Sequence, residues 1–192
     1  MKKNTLIILG HPDANSYSGS LAETYLEHAQ TEGRNIKFVK LGDLSFDPIL
    51  RHGYRERQEL EPDLKALLED IQWAEHLVFV YPIWWGSMPA LLKGFFDRAF
   101  LPGIVYNHRE NSVWWDRLLT GKSAQLIVTM DTPPWYFRLV YRMPGHNQMK
   151  RTILKWCGVN PVKIASFGPI RGATDKQLTK WRHKVAKLAK QS

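Results

Sequence analysis

Leu77-Val78-Phe79-Val80-Tyr81-Pro82-Ile83-Trp84-Trp85-Gly86-Ser87-Met88-Pro89 reads as a strand that runs into a loop and then a helix. Five apolar residues in a row, without polar alternation, belong to a strand covered on both faces, as at the centre of a parallel sheet. The helix that follows, Met88 to Phe100, carries Leu91, Leu92, Phe95, Phe96 and Ala99 on one side. Between them stand two adjacent tryptophans, which are costly to leave in water. Either they flank a flat aromatic ligand, with Gly86 permitting close backbone approach, or one enters the core and the other a subunit contact. Ser87 is placed to cap the helix, with Pro89 in its first turn.

The same strand–helix unit recurs on either side. Thr5 to Leu9 is a continuous apolar strand, and Ser16 to Glu32 is a helix stopped by Gly33. Ile36 to Leu41 is a second strand, interrupted by Lys37 and Lys40, and Asp63 to Trp73 is a helix. After the quoted unit come a strand at Leu126 to Met130, a helix at Gln148 to Trp156, a strand at Val162 to Phe167 and a helix at Thr174 to Lys190. This alternation predicts a three-layer α/β sandwich with a parallel sheet between helices. Strands one, three and four are apolar throughout, whereas two and five carry lysine or serine, as sheet edges do. That distribution predicts the order 2-1-3-4-5, whose ligand crevice lies at the carboxyl ends of strands one and three.

Composition narrows the classes. A chain of 192 residues fits one domain over 1–192. No apolar run approaches the roughly 20 residues of a membrane span, and the start lacks a small-residue cleavage site, so a cytoplasmic protein is expected. The single cysteine, Cys157, excludes an internal disulfide and a cysteine-based metal cluster, and its apolar setting makes it a buried structural thiol. The net charge of +9 comes from scattered basic residues without a nucleic-acid-binding signature; no metal and no nucleic acid are expected. Such charge suits anionic cofactors or plain solubility.

Three loops should form the site. Gly10 to Ser20 runs from a strand into a helix N-terminus, where free backbone N–H groups favour a phosphate and Ser16, Ser18 and Ser20 add hydroxyls. It is neither a Walker A loop nor GxGxxG. Ser20-Leu21-Ala22-Glu23 also fits a capping box, and both readings hold together. Pro82 to Pro89 is the second loop. The third, Asp131 to His146, is long for such a connection and rich in aromatics and arginine, which fits a lid over a planar substrate or a dimer interface.

On these residues the chain resembles the NAD(P)H:quinone oxidoreductase branch of the flavodoxin-like superfamily, nearly end to end. The matching segments are Leu9-Gly10-His11-Pro12 with Ser16-Tyr17-Ser18, Phe46-Asp47-Pro48-Ile49, Tyr81 to Arg98, and Cys157-Gly158. The resemblance implies a flavodoxin-like fold and a flavin, FAD or FMN, with NAD(P)H as co-substrate and a quinone-like acceptor. It implies that His11, Ser16, Tyr17, Ser18 and Ser20 hold the flavin phosphates, and that Pro82, Ile83, Trp84 and Trp85 run beside the isoalloxazine ring. Asp97 matches a position near the adenosine of FAD-binding members, which leans the expectation towards FAD. Tyr136 and His146 match the family's charge-handling Tyr and His, though at different spacing, and Pro133-Pro134 stand where glycines are usual. A homodimer with the flavin at its interface is implied as well. The expected chemistry is ping-pong two-electron reduction of quinones. The rival readings are a flavodoxin-type electron carrier and an ancillary regulatory subunit of a potassium efflux system, for which the last helix would make peripheral membrane contact.

Overall fold

The computed structural model describes residues 3–191. Its strands are β1 (Asn4–Leu9), β2 (Asn35–Lys40), β3 (His76–Pro82), β4 (Tyr106–His108), β5 (Trp115–Arg117), β6 (Ser123–Thr129) and β7 (Val162–Phe167). Five of them form one parallel sheet in the order β2-β1-β3-β6-β7, which is 2-1-3-4-5 counted within the sheet. The flavodoxin-like architecture expected from the sequence is therefore present. β4 and β5 make an antiparallel hairpin, an element the sequence reading had not assigned.

Side chains alternate across a strand, and both faces of this sheet are apolar. Leu6, Ile8, Leu77, Phe79, Leu126 and Val128 share a core with α2 (Pro62–Trp73) and α3 (Ala90–Ala99). Ile7, Leu9, Val78, Val80 and Ile127 pack on the other side with α1 (Tyr17–Thr31) and α6 (Asp175–Gln191). Each large aliphatic side chain so buried contributes about 1.5–3 kcal/mol. Val185, Ala186 and Ala189 of α6 are buried while Lys176, Lys180, Lys184 and Lys187 are exposed. The apolar stripe considered for membrane contact thus faces the sheet. No helix is long and apolar enough to cross a membrane among the described residues.

Several local expectations are corrected. Ser16, not Ser20, caps α1, with its Oγ accepting from the Gly19 N–H at 3.1 Å; Ser20 lies inside the helix and donates to the Tyr17 carbonyl at 2.9 Å. Pro89 itself occupies the N-cap of α3, and the Ser87 hydroxyl turns away to Gln148. The Asp131–His146 connection contains two short helices, α4 (Pro134–Leu139) and α5 (Pro144–Asn147). The helix expected from Gln148 is π-wound over Gln148–Leu154.

Arg98, fully buried on α3, fixes the long β2–α2 connection over that helix. Its guanidinium donates to Glu61 at 2.8 and 3.1 Å, to the Glu59 carbonyl at 2.8 Å and to the Asp47 carbonyl. Burial pushes the Glu61 carboxyl up, but the Arg98 hydrogen bond, backbone N–H bonds from Glu61 and Asp47 and the Arg98 charge together outweigh it and hold the group below the usual carboxylate range.

Candidate functional site

The loops after β1, β3 and β6 converge at the carboxyl edge of the sheet, where the topology places the crevice. One depression there is lined by His11, Ser16, Tyr17, Ser18, Pro82, Ile83, Trp84, Thr129, Met130, Asp131 and Ile170. A larger one of about 510 Å³ is lined by Ile83, Trp85, Gly86, Thr132, Phe137, Tyr141 and Pro144. Ile83 lines both, so the two meet.

The first depression is the donor end. With its Oγ accepting from Gly19, Ser16 keeps its own O–H hydrogen to give away. The N–H groups of Tyr17 and Ser18 fall in the first turn of α1 and have no intrahelical acceptor. Ser18 is less free than expected, because its Oγ is 2.8 Å from Thr129 Oγ1 in a buried contact. Tyr17 lines the depression with its ring, but its hydroxyl donates to the Leu178 carbonyl at 2.9 Å. Ser20 is not brought in. His11 Nδ1 accepts from the Asp13 N–H at 2.9 Å, which leaves the hydrogen of the neutral ring on Nε2. Burial lowers the His11 pKa against the pull of the Asp13 charge, and the ring stands edge-on to Trp84 at 5.3 Å.

The second depression is an aromatic slot walled by a tight turn. Trp84 and Ser87 exchange backbone hydrogen bonds at 2.9 and 3.0 Å. The two residues between them have positive φ, 50° at Trp85 and 80° at Gly86, the combination a two-residue hairpin demands. Glycine adopts it freely, but a bulky residue there stores of order 1–3 kcal/mol of strain. The result is that Trp85 stands fully exposed at the mouth of the slot. Phe137 is buried beneath α4, and Tyr141, four residues on, closes the opposite side.

Besides Ser20, three residues expected at the site lie elsewhere. Tyr136 lines neither depression; its ring sits edge-on to Tyr141 at 5.1 Å. His146 is buried behind α4, with Nε2 2.8 Å from Ser166 Oγ and its ring against Phe137. Burial lowers its pKa to about 4. Asp97 accepts from Lys93 Nζ at 2.6 and 2.8 Å and lines a separate depression with Tyr54, Tyr106, Trp156 and Gln148. Cys157 is buried as expected, its thiol pushed up to about 12 by burial. The lining residues not singled out as site members are Thr129, Met130, Asp131, Thr132, Phe137, Tyr141, Pro144 and Ile170. The aromatic-rich stretch that holds Phe137 and Tyr141 was the available signal.

A family model for the flavodoxin-like fold matches residues 3–189. The chain belongs to that family. Within this flavodoxin-like family, an uncharacterised NAD(P)H oxidoreductase of Haemophilus influenzae is 29% identical over 182 residues, 90% of this chain and 87% of its own. The quinone-named relatives include longer proteins: at 28% identity the chain spans 46% of the NAD(P)H dehydrogenase [quinone] 1 of Cavia porcellus. The NAD(P)H:quinone oxidoreductase branch named from the sequence is the one these relatives carry in their names. Among solved structures, Smu.1420 from Streptococcus mutans is 31% identical with a TM-score of 0.83, covering 98% of this chain and 100% of its own. An FMN-dependent NADH-azoreductase from Bacillus anthracis, solved with FMN, shares the fold with a TM-score of 0.75 at 19% identity, covering 100% of this chain and 99% of its own.

Proposed function

We propose that this flavodoxin-like protein is a flavin-dependent NAD(P)H oxidoreductase that reduces quinones or similar flat electrophiles by a ping-pong mechanism, with FMN as its flavin. The observation that carries the reading is the junction at Ile83 of a donor-lined end and an aromatic slot. The names of the relatives, NAD(P)H oxidoreductase and quinone dehydrogenase, and the FMN-bound azoreductase support it.

The donor set fits a phosphorylated planar cofactor. Ser16 Oγ–H and the Tyr17 and Ser18 N–H groups hold an anionic phosphate, helped by the positive end of α1. Trp84 and the Trp85–Gly86 turn fix the plane of an aromatic ring, and Phe137, Tyr141 and Pro144 keep water from its face. When bound, the flavin supplies the two-electron carrier that NAD(P)H reduces and the acceptor reoxidises. FMN replaces the earlier lean to FAD because Asp97 is held by Lys93 in a different depression. The slot lacks a charged side chain, while Arg138 and Arg142 stand exposed on and just beyond α4. The uncharged lining favours an uncharged flat acceptor. Trp85, Trp135, Leu139, Val140 and Tyr141 are large exposed apolar groups around the slot; a second copy covering them makes the homodimer part of this reading.

The test is the visible spectrum of the purified protein, followed during anaerobic addition of NADPH. A flavin band that bleaches on NADPH and returns on adding a benzoquinone is the expected result, with parallel double-reciprocal plots in steady state. A colourless protein that takes up neither FMN nor FAD overturns the reading.

A further inference from the structure

The turn that carries Trp85 is strained, and a strained turn persists only where its surroundings over-determine it. Two of its restraints are its own backbone bonds between Trp84 and Ser87, and a third ties Ile83 N–H to the Thr129 carbonyl at 2.7 Å. The fourth comes from outside the loop: the Ser87 hydroxyl donates to Gln148 Oε1 at 2.6 Å. Gln148 is the first residue of the π-wound stretch, and such stretches mark functional sites more often than chance. The N–H groups of Trp85 and Gly86 have no protein acceptor among the described residues, so the turn presents two unspent donors beside the aromatic slot.

We propose that Gln148 is a positioning residue: through Ser87 it locks the Trp84–Ser87 turn in the conformation that receives the flavin ring. The inference rests on the flavin reading above, but the lock itself is a property of the flavin-free protein. Gln148 does not line the slot; it lines the neighbouring depression with Lys93 and Asp97 and acts on the slot only through the hydroxyl it accepts. The carbonyl of its side chain is the working atom, so a carboxylate oxygen at the same reach serves equally, and a thioether of similar size does not.

The experiment compares Q148M, Q148E, S87A and the Q148M/S87A double variant with the unaltered chain, by two readouts. Hydrogen exchange of the Trp84 and Ser87 amides, the two bonded across the turn, in flavin-free protein is expected to be about tenfold faster in Q148M and in S87A, the loss of roughly one hydrogen bond. FMN affinity, from the quenching of its fluorescence, is expected to weaken by a similar factor. Q148E should match the unaltered chain in both, and the double variant should be no worse than either single change. Thr152→Ala is the control, because it removes a hydroxyl bond to the Gln148 carbonyl of the same stretch without touching the turn; it should change neither readout. The lock is overturned if Q148M exchanges at the unaltered rate, if Q148E behaves as Q148M does, or if the two single effects add. If the unaltered chain binds no FMN, the functional reading fails, and the exchange rates still decide the lock.

Discussion

The two segments that meet over the proposed cofactor cleft are built on opposite plans. The β1–α1 loop is stitched to itself and to its neighbours: Asp13 N–H to His11 Nδ1, Asn15 N–H to Asp13 Oδ1 at 2.8 Å, Gly19 N–H to Ser16 Oγ, and Ser18 Oγ to Thr129. The flap formed by α4 and the residues just after it is anchored from beneath, by the buried ring of Phe137 against His146 and by Met143 N–H on the Phe137 carbonyl at 3.0 Å, while Trp135, Leu139, Val140 and Tyr141 stand outside. The difference follows from what each would bind. Donors for a phosphate are useful only if they are already aimed, because reorganising them costs binding energy. A cover for an aromatic slot has to open, and such elements come from the weakly held parts of a fold.

The largest expected effect breaks the rigid side. A methyl group at Gly19 would stand 1.9 Å from the Ala14 carbonyl oxygen, which the loop cannot accommodate without moving backbone. Gly19→Ala should therefore cost about 3 kcal/mol of unfolding free energy, read from the urea midpoint. If the proposed flavin reading holds, residual folded protein should take up less FMN than the unaltered chain. A cost below about 1 kcal/mol would mean the loop gives way easily, and the contrast with the flap would fall.

The sequence made one side of this contrast far more legible than the other. The unbroken apolar strands and the lysines of β2 and β7 determined the sheet order, because burial on two faces leaves no room for alternation. The β1–α1 loop was also marked as a candidate by its serines, although helix capping is an equal use for them and Ser16 does cap α1. What could not be seen was which hydroxyl faces inward. Ser18 and Ser20 have the same chemistry as Ser16, but Thr129, more than a hundred residues away, and the Tyr17 carbonyl claim them. The flap misled for a related reason: aromatic content marked the region, yet Tyr136 lies on α4 and Tyr141 beyond its end, and of the two only Tyr141 lines the slot. Resemblance drew attention to Tyr136 and His146, while Phe137 of α4 and Tyr141 just beyond it line the slot.

A second effect, smaller and dependent on pH, sharpens the comparison from the flap side. His146 lies behind α4 with its folded pKa lowered to about 4 by burial, against about 6.5 when unfolded. Above pH 6.5 both states are neutral and the stability is complete. Between 6.5 and about 4 the unfolded chain binds a proton that the folded chain refuses, so stability falls as pH drops, by up to about 1.4 kcal/mol per unit. His76, lowered to about 3 by burial and then by Lys3, Arg34 and Lys163, adds a second proton over a similar window. His146→Gln should remove one proton's worth of slope between pH 6 and 4.5 in urea unfolding series. Should His146 instead titrate near 6.5 in the folded protein, followed by its ring proton resonances, the flap would be opening at little cost.

The smallest expected effect is on the flap surface. Leu139 is 69% exposed, so Leu139→Ser in a monomer removes almost no buried area and should shift the unfolding free energy by less than about 0.5 kcal/mol. Measured at nanomolar protein, that near-zero value is the expectation. At micromolar protein the homodimer reading gives a different answer, because a second copy covering Trp85, Leu139 and Tyr141 would turn the same side chain into buried surface. The loss should then rise above about 1 kcal/mol and scale with protein concentration. A loss that stays near zero at every concentration would leave this rim uncovered and place any pairing of the chains on another face.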